Sequence, residues 1–451
     1  MNNKIFLRSG VWYGDRQIEI DMPSNWEVEV KTPSVPPPFS SGEIEGILDN
    51  PIGLATIAEL CKGKSRPLIL VDDLNRPTPA SIIMPSLLKR ITATGIPLEN
   101  ITILMATGTH GLPGQDALIK KAGSDATRCR LIIHDCFNDV VRIGKTNSGI
   151  PVFVNKVFLE CDVVFGVGGI YPNHTAGFGG GSKLILGVLG IQTIYHLHFR
   201  NKSQGWGGQV VENPFRRELD EIAAMSGLGF FISTIIDGDR NIIKMYCGDQ
   251  KKYFGEAVEY YRKTFQTAGA DDADVIISNT YPNDLSLTFA RMKGFIPLSH
   301  CKKGATRIAI AACDEGLGLH NIWPFVNVPK FYKWNHLWRV LSVKPLKEII
   351  SRIIPLIRNK LIPRIRKMIM REKIKRDSGF SESPIWLYLT GGTLVEFPAN
   401  IPGIHLTSSW EDIVDIVKRE HPGKEKLKVL VYSCAFLQLI EDHSFENRSV
   451  E

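Results

Sequence analysis

A lysine closing a glycine-rich loop is the residue of this sequence with the clearest chemical potential. The run Gly166-Val-Gly-Gly-Ile-Tyr-Pro-Asn173-His174-Thr-Ala-Gly-Phe-Gly179-Gly180-Gly181-Ser-Lys183 holds seven glycines in its first 16 residues, a backbone able to come close to a ligand. Lys183 could grip a phosphate as a point charge or, once deprotonated, bond covalently to a carbonyl or carboxyl cofactor. Two phosphate-loop signatures do not apply. Ser182 and Leu184 break the P-loop pattern on either side of the lysine, and Tyr171 stands where G-x-G-x-x-G needs its third glycine.

Three other clusters carry polar chemistry. Val71-Asp72-Asp73-Leu-Asn75-Arg76-Pro-Thr-Pro79 sets a guanidinium, whose planar fork suits carboxylate or phosphate, among acids and a stiff turn. Its plain alternative is a surface turn with an Asp–Arg pair. Ala106-Thr-Gly-Thr-His110-Gly111 places an imidazole, the commonest general base, at the end of an apolar run. His196-Leu-His198 offers two imidazoles, but no nearby cysteine or carboxylate completes a conventional zinc set, so one histidine would have to serve an already chelated metal.

The elements that must position these groups read as an α/β fold. Pro67–Asp72, Ile101–Ala106, Asp162–Val167 and Phe230–Ile236 are short, nearly continuous apolar runs, as strands covered on both faces should be. A second set, Ala273–Ser278, Arg307–Ala312, Ile385–Leu389 and Leu427–Tyr432, predicts a second α/β unit. The expectation is two α/β domains with mainly parallel sheets, residues 1–270 and 271–451, joined by a small, polar linker at 264–272, with the active site in the cleft between them. Polar clusters directly after strands merit attention because open α/β sheets bind ligands beyond the strands' carboxyl ends.

A chain of 451 residues with 43% hydrophobic and 22% charged residues can bury more than one core. No signal-like or membrane-spanning apolar run is visible, so a cytoplasmic protein is expected. Eight scattered cysteines without a C-x-x-C pair suggest reduced thiols. The net charge of +7 is concentrated between Lys330 and Arg376, where 15 Lys and Arg face two Glu. This basic insert reads first as a solvated lobe and second as a candidate for peripheral membrane contact; no nucleic-acid partner is expected.

In order and approximate spacing over most of residues 10–320, these clusters resemble the lactate racemase family. Asp73-Leu-Asn75-Arg76-Pro-Thr-Pro is similar to the family's Asp-x-Thr-Arg-Pro-x-Pro, Ala106-Thr-Gly-Thr-His110 to its Ala-Thr-Gly-Thr-His, and the glycine-rich loop to its Pro-His-x-x-Ala-Gly-[Phe/Tyr]-Ser-Gly-Gly-Ala-Lys. Glu212-Asn-Pro-Phe-Arg216 and Tyr281-Pro-Asn-Asp284 also resemble family motifs.

The resemblance implies a racemase or epimerase inverting C2 of a 2-hydroxy acid. It implies a nickel-pincer nucleotide attached to Lys183, with His198 as the protein's nickel ligand and Asp73, Gly179, Gly180 and Gly181 around the cofactor. His110 and His174 would be the catalytic bases, Arg76 and Lys293 the substrate-binding cations. Two positions depart from the family register: Asn173 aligns without a gap where the second base belongs, with His174 one residue late, and Met292 aligns where Lys293 is preferred. The rival implication of Asn173 is a catalytically altered nickel-cofactor or nucleotide-binding protein of the same fold. Either way, cofactor-synthesis enzymes are implied as suppliers.

Overall fold

The computed structural model describes residues 3–200, 211–270, 272–320, 384–391, 397, 401 and 403–440. The basic insert at 330–376 lies outside the described residues. All eight apolar runs become strands, and Pro67–Asp72, Ile385–Leu389 and Leu427–Tyr432 have the expected ends.

The strands assemble two six-stranded sheets. In the first, the order is Ile242–Gly248, Leu228–Ile236, Val163–Gly169, Pro67–Asp72, Thr102–Ala106, Arg130–Ile133, parallel except for the antiparallel edge strand Ile242–Gly248. The chain starts in the middle at Pro67–Asp72, builds outward in one direction, then returns to add Val163–Gly169 on the other side. The strand order therefore reverses between Pro67–Asp72 and Val163–Gly169, and a crevice opens where their connections part. Asp72–Arg76 and the glycine-rich loop leave from those two carboxyl ends.

The second sheet is parallel throughout, in the order Ile404–Thr407, Ile385–Leu389, Thr306–Ala311, Val275–Asn279, Leu427–Tyr432, Trp26–Lys31. Its last strand comes from the segment expected to belong to 1–270, so the sheets do not divide the sequence at a single cut. One core surrounds the first sheet, and two smaller ones cover the faces of the second. Tyr281, Leu285, Phe436 and Leu437, from loops that follow second-sheet strands, are buried in the first core.

The expected linker at 264–272 is built into the fold. Gln266–Thr267 pairs with Leu439–Ile440, and Ala270 is fully buried. Ala270 serves close packing here, a use that composition does not distinguish from flexibility. None of the eight cysteines is in a disulfide. Among the described residues, no helix is long and apolar enough to cross a membrane.

Candidate active site

A pocket with about 1070 Å³ of space, its open mouth included, lies at the strand-order reversal. Of the ten residues singled out by sequence, nine line it: Asp73, Arg76, His110, His174, Gly179, Gly180, Lys183, His198 and Lys293. Gly181 is not among the lining residues. Asn283, Phe289, Met292, Lys293 and His320 bring the part of the chain after Val275–Asn279 to the same space.

Asp73 follows the central strand and is 3% exposed. Its Oδ2 lies 2.7 Å from His110 Nδ1 and accepts from Asn75 Nδ2 at 3.1 Å. Burial opposes the charge on Asp73, but His110 and Arg76 outweigh it and hold the carboxyl down at about 2. An ionised carboxylate only accepts, so the proton of neutral His110 sits on Nδ1 and Nε2 keeps its lone pair. Burial lowers the His110 pKa, with Asp73 pulling the other way and Arg76 and Lys183 adding to the fall. The imidazole is thus an oriented, uncharged base near neutral pH. Phe289 and His320 flank its ring at centroid distances of 4.6 and 5.1 Å.

Lys183 is half-buried in the pocket wall beside two guanidinium groups. Burial first, then Arg76 and Arg216, bring its pKa down to about 7 against a weaker pull from Asp73. Its amine makes no hydrogen bond among the described residues. The uncharged amine, the state a nucleophile needs, is thus far more accessible near neutral pH than in an ordinary lysine.

The glycines of the loop before Lys183 also answer to packing, and Gly179 and Gly180 face the pocket as well. A Cβ on Gly179 would lie 2.7 Å from the Tyr171 ring, and one on Gly169 equally close to it. Gly181, at φ +55°, faces Gln250, whose Oε1 accepts from Ser182 N at 2.6 Å. The loop is glycine-rich largely because a buried tyrosine and a glutamine press on it. Arg216, 3% exposed, fixes it from below, donating from Nε to Ala176 O at 3.1 Å and from Nη2 to Phe178 O at 2.5 Å. Asn213 caps the Arg216 helix and Pro214 opens it.

Asn173 and His174 separate clearly in role. Asn173 Oδ1 accepts from Thr175 N, Thr175 Oγ1 and Ala176 N at 3.0, 2.7 and 2.9 Å in an Asx turn, while the residue, like His174, lines the pocket. Pro172–Asn173 pairs with Gly177–Phe178, which puts His174 at the start of the turn between them. His174 Nε2 donates to Met292 O at 2.5 Å, and burial lowers its pKa.

Beside it, Lys293 is 6% exposed, with Nζ 4.7 Å from the centroids of both Tyr171 and Phe436. That nitrogen has no hydrogen-bond partner among the described residues. Burial, then Arg76 and Lys183, push its pKa well down. A buried amine in this condition has room for an anionic ligand group.

His198 Nδ1 lies 2.8 Å from the Ile194 carbonyl one turn earlier, so Nδ1 carries the proton and Nε2 is left basic. Burial holds its pKa near about 4. His196 does not line the pocket. No cluster of three or more His, Cys, Asp or Glu able to hold a metal occurs among the described residues. Sequence reasoning missed His320, a lone imidazole outside any motif, which lines the pocket and is 7% exposed.

Fold and pocket define an α/β protein whose basic and imidazole groups converge at the ends of parallel strands. The lactate racemase N-terminal domain model matches residues 13–207. The chain is 32% identical over 285 residues to a lactate racemase of Lactiplantibacillus plantarum, spanning 61% of this chain and 66% of that one, just under two thirds. A lactate racemase of Thermoanaerobacterium thermosaccharolyticum is 30% identical over 301 residues, 64% of this chain and 68% of the relative. The solved lactate racemase apoprotein of the latter organism shares the fold, with a TM-score of 0.66 at 20% identity over 98% of this chain and all of that one. A Thermotoga maritima protein solved by structural genomics follows with a TM-score of 0.53 at 13% identity, covering 90% of this chain and all of that one. The chain belongs to the lactate racemase family, a family of isomerases.

Proposed function

We propose that this protein is a racemase or epimerase that inverts C2 of a 2-hydroxy acid, using a nickel-pincer nucleotide attached to Lys183. The observation that carries the reading is the Lys183 amine: half-buried in the pocket wall, without a hydrogen bond among the described residues, and with its pKa lowered to about 7. Such an amine suits covalent attachment to a carboxyl-derived group far better than an ordinary surface lysine.

The residues present fit the group. His198 offers one basic nitrogen held by a backbone carbonyl, an orientation suited to a metal ligand. When bound, the cofactor would supply reversible hydride acceptance at C2, chemistry that amino-acid side chains lack.

The chain's own residues do the rest. Arg76 and Lys293 hold the substrate carboxylate, which supplies the partner that the Lys293 amine lacks and fixes C2 in the pocket. His110, aligned by Asp73, takes the hydroxyl proton at Nε2 and returns it. His174, whose Nε2 donates to Met292 O, does the same from Nδ1 for the other enantiomer. Asn173, which motivates the rival reading of an altered binding protein, is committed to its own turn. Division of the chain near residue 270, with the strand Trp26–Lys31 crossing to the second unit, and supply of the cofactor by dedicated synthesis enzymes belong to this proposal.

Intact-mass measurement tests the reading. Protein produced with the cofactor-synthesis enzymes should carry a sulfur- and nickel-bearing adduct on Lys183 and racemise lactate or a related 2-hydroxy acid. An unmodified chain from such cells would refute it; an adduct without turnover of any 2-hydroxy acid would favour the binding-protein reading.

A further inference from the structure

Lys121 is fully buried, with 0% of its surface exposed, and it does not line the pocket. It sits in the last turn of the helix Gln115–Ala122, which begins five residues after His110. Its ammonium donates to two backbone carbonyls, Asp73 O at 3.2 Å and Arg76 O at 2.8 Å, and pairs by charge with Asp72 Oδ1 at 2.5 Å. The Trp12 ring closes the remaining side at 4.8 Å. All three oxygens belong to one turn, whose side chains are the His110-orienting carboxylate and the Arg76 guanidinium.

We propose that Lys121 is a positioning residue that clamps the Asp72–Arg76 turn through its carbonyls, setting Arg76 and Asp73 for the substrate carboxylate and His110. A backbone carbonyl fixed at both 73 and 76 leaves the turn little freedom to swing the guanidinium. The clamp also ties the turn after the first central strand to the helix after its neighbour, so the two loops carrying Asp73 and His110 are held in one frame. The effect on catalysis rests on Arg76 anchoring the carboxylate.

A simpler role competes with this one: neutralising Asp72, which is 6% exposed and also accepts from Thr78 Oγ1 at 2.6 Å. Lys121→Met alone would leave that carboxylate buried without its cation and endanger folding. The informative protein is the double variant D72N/K121M, which removes both charges while the amide keeps an acceptor for Thr78. It is compared, as holoenzyme, with D72N and the unaltered protein in steady-state kinetics and in amide hydrogen exchange over residues 72–76.

The clamp predicts that the double variant raises KM on the order of tenfold or more relative to D72N, with a much smaller change in kcat, as expected for a displaced binding group. It also predicts faster exchange at residues 73–76. A double variant that matches D72N in KM or in exchange would overturn the clamp and leave only charge neutralisation. Absence of 2-hydroxy acid turnover in the unaltered protein would instead defeat the functional reading, while the exchange comparison would still decide the clamp.

Discussion

Burying Lys183 as an amine with a pKa of about 7 makes stability depend on pH in a way one substitution can isolate. The unfolded chain holds this proton up to about 10.5, the folded chain only to about 7. The unfolded state therefore binds more protons between those values, and stability rises with pH across that window. Below pH 7 the penalty is at its full size, an upper bound of about 5 kcal/mol for a shift of roughly 3.5 units. The penalty is about 4 kcal/mol at pH 7 and about 2 kcal/mol at pH 9. Lys183→Met keeps the apolar stem and removes the titrating group. In urea unfolding of cofactor-free protein, the variant should be more stable at pH 7, and its advantage should shrink by about 2 kcal/mol at pH 9. Lys293 is present in both proteins, and its titration cancels in the difference except for the part of its fall that Lys183 itself causes. A gap between the two proteins that stays constant from pH 7 to pH 9 would refute the argument that burial and Arg76 discharge Lys183.

Three further outcomes follow from the pocket. Asp73→Asn should lower kcat by roughly 10²-fold or more with little change in KM, because it removes the acceptor that sets the His110 tautomer; steady-state kinetics checks this. His198→Ala should lose nickel in metal analysis while intact mass still reports the organic adduct on Lys183, and nickel retained at full occupancy would remove His198 from the ligand role. Gly187→Ala should cost about 1–3 kcal/mol in denaturant unfolding, since its methyl would lie 2.6 Å from the Ala106 carbonyl oxygen, which backbone packing cannot move cheaply.

What could be read in the sequence was what is local. Pro67–Asp72 and Leu427–Tyr432 announce themselves because a strand buried on both faces needs an unbroken apolar run, and the polar residues that follow them mark the pocket. Trp26–Lys31 escaped because Trp-Glu-Val-Glu-Val-Lys belongs to an edge, with Glu27 and Glu29 at the surface, and its partner lies far away in sequence. Lys121 escaped for a related reason: a lysine late in a helix reads as solvent-facing, and only the three-dimensional return of the 72–76 turn beneath it turns it into a buried donor. The glycine loop was correctly located and differently explained. Its need for small residues comes from Tyr171 and Gln250, neither of which a motif of glycines and lysine can reveal. His320 had no periodic or motif context at all.

The pairing of Trp26–Lys31 with Leu427–Tyr432 joins segments about 400 positions apart. During synthesis at roughly 5–20 residues per second, the earlier strand waits at least on the order of 20 seconds for the partner that covers it. All six strands of the first sheet leave the ribosome well before then. The wall that carries Lys183 and His110 can thus form before Lys293 and His320 arrive, so the order of birth on the ribosome opens a period in which Lys183 faces the cell from one side only.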